Sequence, residues 1–158
     1  MQHQELEHLE RCIALAREAL ESGDDPFGSV LVSGDGQVLC EARNRVVSGD
    51  ATQHPELALA QWAAVHLSIE ARAQATVYTS GEHCPMCAAA HAWARLGRIV
   101  FISSSRQLGE WLVEFGAKAS PVSMLSIPEV APDVVVEGPV TVLVDAVREL
   151  HQLRHAGA

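Results

Sequence analysis

Between Thr76 and Ser103 the sequence reads strand, helix, strand, and this segment limits the possible folds more than any other. Thr76-Val-Tyr-Thr-Ser80 is β-branched and aromatic, which predicts a strand. Cys84 to Leu96 is rich in alanine and predicts a helix, ended by Gly97. Arg98-Ile-Val-Phe-Ile-Ser103 then predicts a strand covered on both faces. Two adjacent strands joined through a helix run parallel, because the crossover brings the chain back to the edge it left. The expectation is an α/β chain with helices on both sides of a sheet.

The rest of the chain fills in those layers. Leu9, Ile13, Ala16 and Leu20 recur at three- and four-residue spacing between Glu5 and Leu20, one apolar stripe of an amphipathic helix that stops near Gly23. Gly28 to Ser33 and Val38 to Ala42 flank Gly34-Asp-Gly36 and predict a hairpin. Pro55 to Leu67 predicts a helix with proline at its first position, where the missing amide costs nothing, so His54 sits at the helix mouth. Gln107 to Phe115 predicts a further helix, Pro121 to Leu125 and Asp133 to Val136 weaker strands, and Val140 to His155 a closing amphipathic helix. There is no internal repeat and no long linker. The expected architecture is one domain over residues 1–158: three α/β/α layers around a mixed sheet of about five strands.

Composition narrows the function. The chain has 158 residues and is 48% hydrophobic, enough for a core without disulfides. Its 11 Lys and Arg against 20 Asp and Glu leave a formal charge of -9, which disfavours a surface that grips nucleic acid through phosphate neutralisation. No apolar run approaches the roughly 20 residues of a membrane span. The acidic, helical start lacks the pattern of a secretory signal, so a cytoplasmic protein is expected.

In a reducing compartment Cys84 and Cys87, three apart, point to metal binding or catalysis rather than a structural disulfide. Cys12 and Cys40 are expected as reduced core residues. His54, Cys84 and Cys87 lie at the mouths of two predicted helices, where partial positive charge favours thiolates. One imidazole and two thiolates make a three-ligand zinc set that leaves a fourth position for water. Glu56, two residues after His54, is placed to exchange protons with that water. Two alternatives stay open: a redox C-x-x-C pair, which leaves His54 and Glu56 without a role, and a closed structural zinc with His83 or His91 as fourth ligand.

His54-x-Glu56 followed after 27 intervening residues by Cys84-x-x-Cys87, in this order of elements, resembles the cytidine/deoxycytidylate deaminase-like zinc hydrolases. The likeness implies zinc on His54, Cys84 and Cys87, with Glu56 as proton shuttle. Asp25-Pro26-Phe27-Gly28 and Asn44-Arg45-Val46 look most like the branch of guanine deaminases, tRNA adenosine deaminases and cytosine deaminases. There the residue matching Asn44 contacts substrate and the one matching Phe27 walls the pocket. From the residues alone, Phe27 reads equally as a core aromatic and Asn44 as a turn former.

The chain departs from the family pattern at His83, where proline is usual before the first cysteine, and at Pro55, where a small residue is common. His83 therefore stands as a candidate substrate-binding residue beside the ligands. The family's guanine deaminases carry an acidic residue after the strand matching Phe101, whereas Ser103-Ser-Ser-Arg-Gln107 offers no carboxylate before Glu110. The implied activity is zinc-dependent hydrolytic deamination of a small aminated heterocycle, a free purine-type base first and a cytosine-like pyrimidine second. A tRNA adenosine deaminase using Arg95, Arg98, Arg106 and Lys118, and a catalytically lapsed zinc-binding subunit, are the further alternatives. The resemblance also implies a homodimer. Trp93 is expected in the core of its helix, and the last helix, with Glu149, His151 and Arg154, over the pocket.

Overall fold

In the computed structural model, which describes residues 1–156, alternate residues of three central strands point to opposite faces of one sheet. The strands are β1 (Gly28–Val32), β3 (Thr76–Gly81) and β4 (Ile99–Ser103). Val30, Val32, Tyr78, Val100 and Ile102 face α1 (His3–Glu21), α5 (Ser105–Glu114) and α7 (Thr141–His155), packing with Leu9, Cys12, Leu15, Trp111 and Val147. Leu31 and Val77 face the other way, onto Leu59, Ala60 and Ala63 of α2 (Pro55–His66). Ile99 and Phe101 on that same face meet Ala88 of α4 (Pro85–Trp93) and Ile127 of α6 (Ile127–Val130). Helices thus cover both faces, and the near-continuous apolar runs of β1 and β4 follow from that burial.

The outer strands are β2 (Val38–Arg43) and β5 (Val136–Glu137), in the order β2-β1-β3-β4-β5. β1 is antiparallel to β2 and β3, whereas β3, β4 and β5 run parallel, with Val77 opposite Ile99 and Thr79 opposite Phe101. The hairpin and the crossover fall where the sequence places them, and the sheet is mixed with five strands. At Gly28 a Cβ would lie 2.5 Å from the Cys12 carbonyl oxygen and from Leu15 Cβ, so α1 crosses β1 with backbone nearly touching backbone.

Three expectations fail and one element is unexpected, each for a local reason. Pro121 to Leu125 forms no strand; it is an irregular segment with Val122 and Leu125 exposed. The expected strand at Asp133 to Val136 shrinks to Val136–Glu137, because Gly138 and Pro139 end the pairing. A short helix, α3 (Ile69–Gln74), fills a stretch that carries no apolar period; Ser68 caps it by accepting from the Ala71 amide. Trp93 is 87% exposed, since α4 turns Cys87, Ala88 and His91 inward and leaves position 93 on the outer side.

Candidate metal centre and active site

His54 caps the N-terminus of α2 and Cys84 that of α4, and each is followed by a proline in the first turn. A residue before proline is driven out of the helical region, and both are extended, with φ/ψ of -88°/143° and -65°/167°. The two helices pack on each other, so their N-terminal ends converge and Cys87, one turn into α4, joins the pair.

His54 Nδ1 lies 3.5 Å from Cys84 Sγ and 3.6 Å from Cys87 Sγ. A tetrahedral zinc with Zn–S of about 2.3 Å and Zn–N of about 2.0–2.1 Å requires S···N edges of about 3.6 Å. The donor set therefore fits the ion in chemistry and in spacing. It is also the metal-capable group of three found among the described residues. Cys84 is pulled down to about 4, first because the Cys87 thiol donates to it and then because His54 does, against the cost of burial. Cys87 is pushed up, since the shared proton stays on it and burial adds to that. The arrangement favours the thiolate on Cys84, the state a metal ligand needs.

Glu56 is 5% exposed on the first turn of α2, and burial raises its carboxyl above the ordinary value. Thr79 Oγ1 donates to its Oε1 at 3.0 Å, and Ser29 Oγ lies 2.8 Å from Thr79 Oγ1. A carboxyl held by the Thr79 hydroxyl, with Ser29 Oγ a longer donor at 3.4 Å, raised by burial and beside a metal-competent trio, suits proton transfer.

The cavity above these groups has a volume of about 160 Å³. His54, Glu56 and Cys84 form its polar floor, and Phe27, Pro55 and Pro85 flank them. Leu108, Leu112, Val122 and Met124 face them from α5 and the segment after it. This outer wall, rather than α7, covers the opening. α7 acts from behind: His151 meets the Phe27 ring edge-on with centroids 5.0 Å apart, and Arg154 Nε donates to Asp25 at 3.0 Å.

The remaining sequence candidates are distributed unevenly. Phe27 lines the cavity. Asn44 is buried outside the lining; its Oδ1 accepts from the Val46 amide at 3.1 Å and its own amide donates to the Phe27 carbonyl at 3.0 Å. His83 is 1% exposed and also outside the lining; its ring sits edge-on to His91 at 5.4 Å, and burial drives it well below the usual imidazole value. Neither of its ring nitrogens has a hydrogen-bond partner among the described residues. His91 Nε2 donates to the Gly97 carbonyl at 2.7 Å, and the group of metal-capable atoms found among the described residues comprises His54, Cys84 and Cys87 without it. Glu110 pairs with Arg106 and Glu114 with Arg148, and neither reaches the cavity. Sequence reasoning missed Thr79, Ser29 and Glu82: the first two are hydroxyls inside strands, and the third lies between two stronger signals.

The chain is similar to a probable cytosine deaminase of Schizosaccharomyces pombe, 34% identical over 68% of this chain and 65% of that protein. It is also similar to a guanine deaminase of Bacillus subtilis, 35% identical over 65% of this chain and 66% of that one. It spans just under two thirds of the length of these relatives. A guanine deaminase structure from Nitrosomonas europaea superimposes with a TM-score of 0.67, at 21% identity over 94% of this chain and 83% of the other, which shows the shared fold. No helix is long and apolar enough to cross a membrane among the described residues. The family model of the MafB19-like deaminases matches residues 2–127, the stretch that holds α1 through β4 and every residue of the floor, and the chain belongs to that family.

Proposed function

We propose that this protein is a zinc-dependent hydrolytic deaminase of a small aminated heterocycle, a purine-type base before others. The observation that carries the reading is the buried Glu56 carboxyl, held by Thr79 and opening on the same small cavity as His54 and Cys84, which cluster with the buried Cys87. Zinc bound by those three residues supplies the Lewis acidity that makes water nucleophilic near neutral pH. Glu56 takes the proton of the water that attacks the amine-bearing ring carbon. It returns that proton to the ring nitrogen, then takes the remaining proton of the hydroxyl added to the ring carbon and delivers it to the departing amine, so the C–N bond breaks, ammonia leaves and a ring carbonyl remains. Phe27 and the apolar wall hold the ring face and exclude bulk water.

A cavity of about 160 Å³ favours a free base. Space of that order is close to that of one aromatic ring and leaves no room for a sugar, whereas pockets for larger ligands start at about 300 Å³; on size alone it suits a one-ring pyrimidine at least as well as a two-ring purine. The named activity of the bacillus relative supports a purine. A cytosine-like pyrimidine is the second reading, favoured by the fission yeast relative. A tRNA substrate loses support because Arg98 is paired with Glu5 and Glu137, and Arg106 with Glu110, which removes much of the basic patch. A lapsed subunit would not need the Thr79–Glu56 arrangement. A cytoplasmic homodimer is the setting this reading carries.

The test is an ammonia-release screen over purines, pyrimidines, pterins and triazines, with metal analysis. One zinc per chain, turnover of a base, and a loss of about 10²–10⁴ in kcat for Glu56→Gln with zinc retained are expected. Bound zinc with no turnover of any heterocycle overturns the enzyme reading.

A further inference from the structure

Glu82 follows the last residue of β3 and borders the cavity floor. Its Oε1 accepts from the backbone amide of Ser105 at 2.9 Å, and its Oε2 from that of Ile127 at 2.7 Å. These are the first residues of α5 and α6, positions whose amides have no partner within their own helix. Between them the chain runs out and back, and on the way it supplies Leu108, Leu112, Ser120, Val122 and Met124 to the cavity. One carboxylate therefore closes both ends of the outer wall.

The wall has little else to hold its far part. No helix or strand occupies residues 117–125, and Val122 and Met124 are 51% and 36% exposed. α5 is anchored through Trp111, which packs in the core above the sheet. Bonds from a carboxylate to backbone amides are stronger than neutral ones, and two from one side chain set the separation of the segments they join.

We propose that Glu82 is a positioning residue that holds the outer wall over the bound ring by fixing the Ser105 and Ile127 amides at once. It acts through the wall and touches no reacting atom. The inference rests on the deaminase reading for its substrate, but the clamp itself is measurable without one. Loss of the clamp loosens a surface that contacts the ring equally in the ground and transition states, so KM rises and kcat stays.

Two variants break the clamp from opposite sides. Glu82→Gln keeps one acceptor and turns an amide hydrogen toward the second backbone N–H. Ser105→Pro removes the amide at a helix position that suits proline, and Ser104 before it, with ψ of 160°, already has the required backbone. Both should raise KM about tenfold for every heterocycle turned over, with kcat within about twofold and one zinc per chain. Amide exchange should accelerate over residues 105–127 and stay unchanged in α2 and β3. In the unaltered protein the Ser105 and Ile127 amides should exchange slowly despite their first-turn positions, a measurement that survives even where a variant fails to fold. Fast exchange at those two amides overturns the clamp. A Glu82→Gln defect that Ser105→Pro does not reproduce, or one that falls on kcat, overturns it in favour of direct contact with substrate. If the native chain turns over no base while both amides are protected, the deaminase reading has failed and the clamp stands.

Discussion

Thr79 Oγ1 lies 3.0 Å from Glu56 Oε1 and 3.0 Å from the Gly81 carbonyl oxygen, and it has one proton to give. The ionised carboxylate is the stronger acceptor, so the hydroxyl supports Glu56 while it is a base; once Glu56 is protonated the hydroxyl is free to turn to Gly81. Thr79→Val keeps the shape and removes both bonds. kcat should fall about 10- to 100-fold, the usual cost of losing an orienting partner, with zinc content and KM little changed. Steady-state kinetics with metal analysis decide it, and an unchanged kcat would sink the role.

The thiols should differ in reactivity once metal is removed. Cys84 is held near 4, whereas Cys87 and the buried Cys12 are pushed up and Cys40 is raised by partial burial. Alkylation at about pH 6–7 followed by peptide mapping should mark Cys84 first, since the thiolate is the reacting form. Added zinc should suppress that labelling. Preferential modification of Cys40 would contradict the arrangement of the pair.

His151 gives stability a pH dependence on the acid side. Packed against Phe27 and Trp111, it is lowered from 6.5 to about 4 by burial first and then by His155, with Asp25 opposing. The folded state keeps it neutral while the unfolded chain takes up a proton. Its contribution is therefore complete above about pH 6.5 and fades as pH falls toward 4, by on the order of 3 kcal/mol. Urea midpoints of the native chain and of His151→Phe should converge in slope above that window and separate within it. Parallel curves down to pH 4 would refute the assignment.

Gly28→Ala places a methyl 2.5 Å from the Cys12 carbonyl oxygen and Leu15 Cβ, and 2.8 Å from the Ala16 nitrogen. Backbone atoms of a helix do not yield as a side-chain tip does, so α1 must lift from β1. A loss of about 1–3 kcal/mol, seen as a lower melting temperature, is expected. A native-like melt would mean that the helix can slide at no cost.

The metal-competent trio and Glu56 were legible in the sequence because their chemistry is tied to spacing. His54, Glu56, Cys84 and Cys87 have residue types that bond metals and protons, and prolines beside them announce two helix starts. Glu82 and Thr79 bear no such mark, for an acid after a strand and a hydroxyl within one serve many roles. Their partners, Ser105, Ile127 and Gly81, contribute backbone groups, which no residue type advertises. The wall from Leu108 to Met124 was misread in part because Pro121 to Leu125 has a strand's composition with no neighbouring strand to pair with. Trp93 shows the converse: a large apolar side chain suggests a core, yet the turn of α4 decides which side it faces.

Both His54 and Cys84 are helix caps, and the helices they begin are pressed against each other and against the sheet. To move one ligand by an ångström, a whole α-helix would have to shift within a close-packed layer. The irregular segment opposite carries no such burden. On the proposed deaminase reading, the reacting groups and the residues that select the base therefore sit in separately built parts, and exchanging the side chains between Ser120 and Met124 should change what is accepted without disturbing how it is converted.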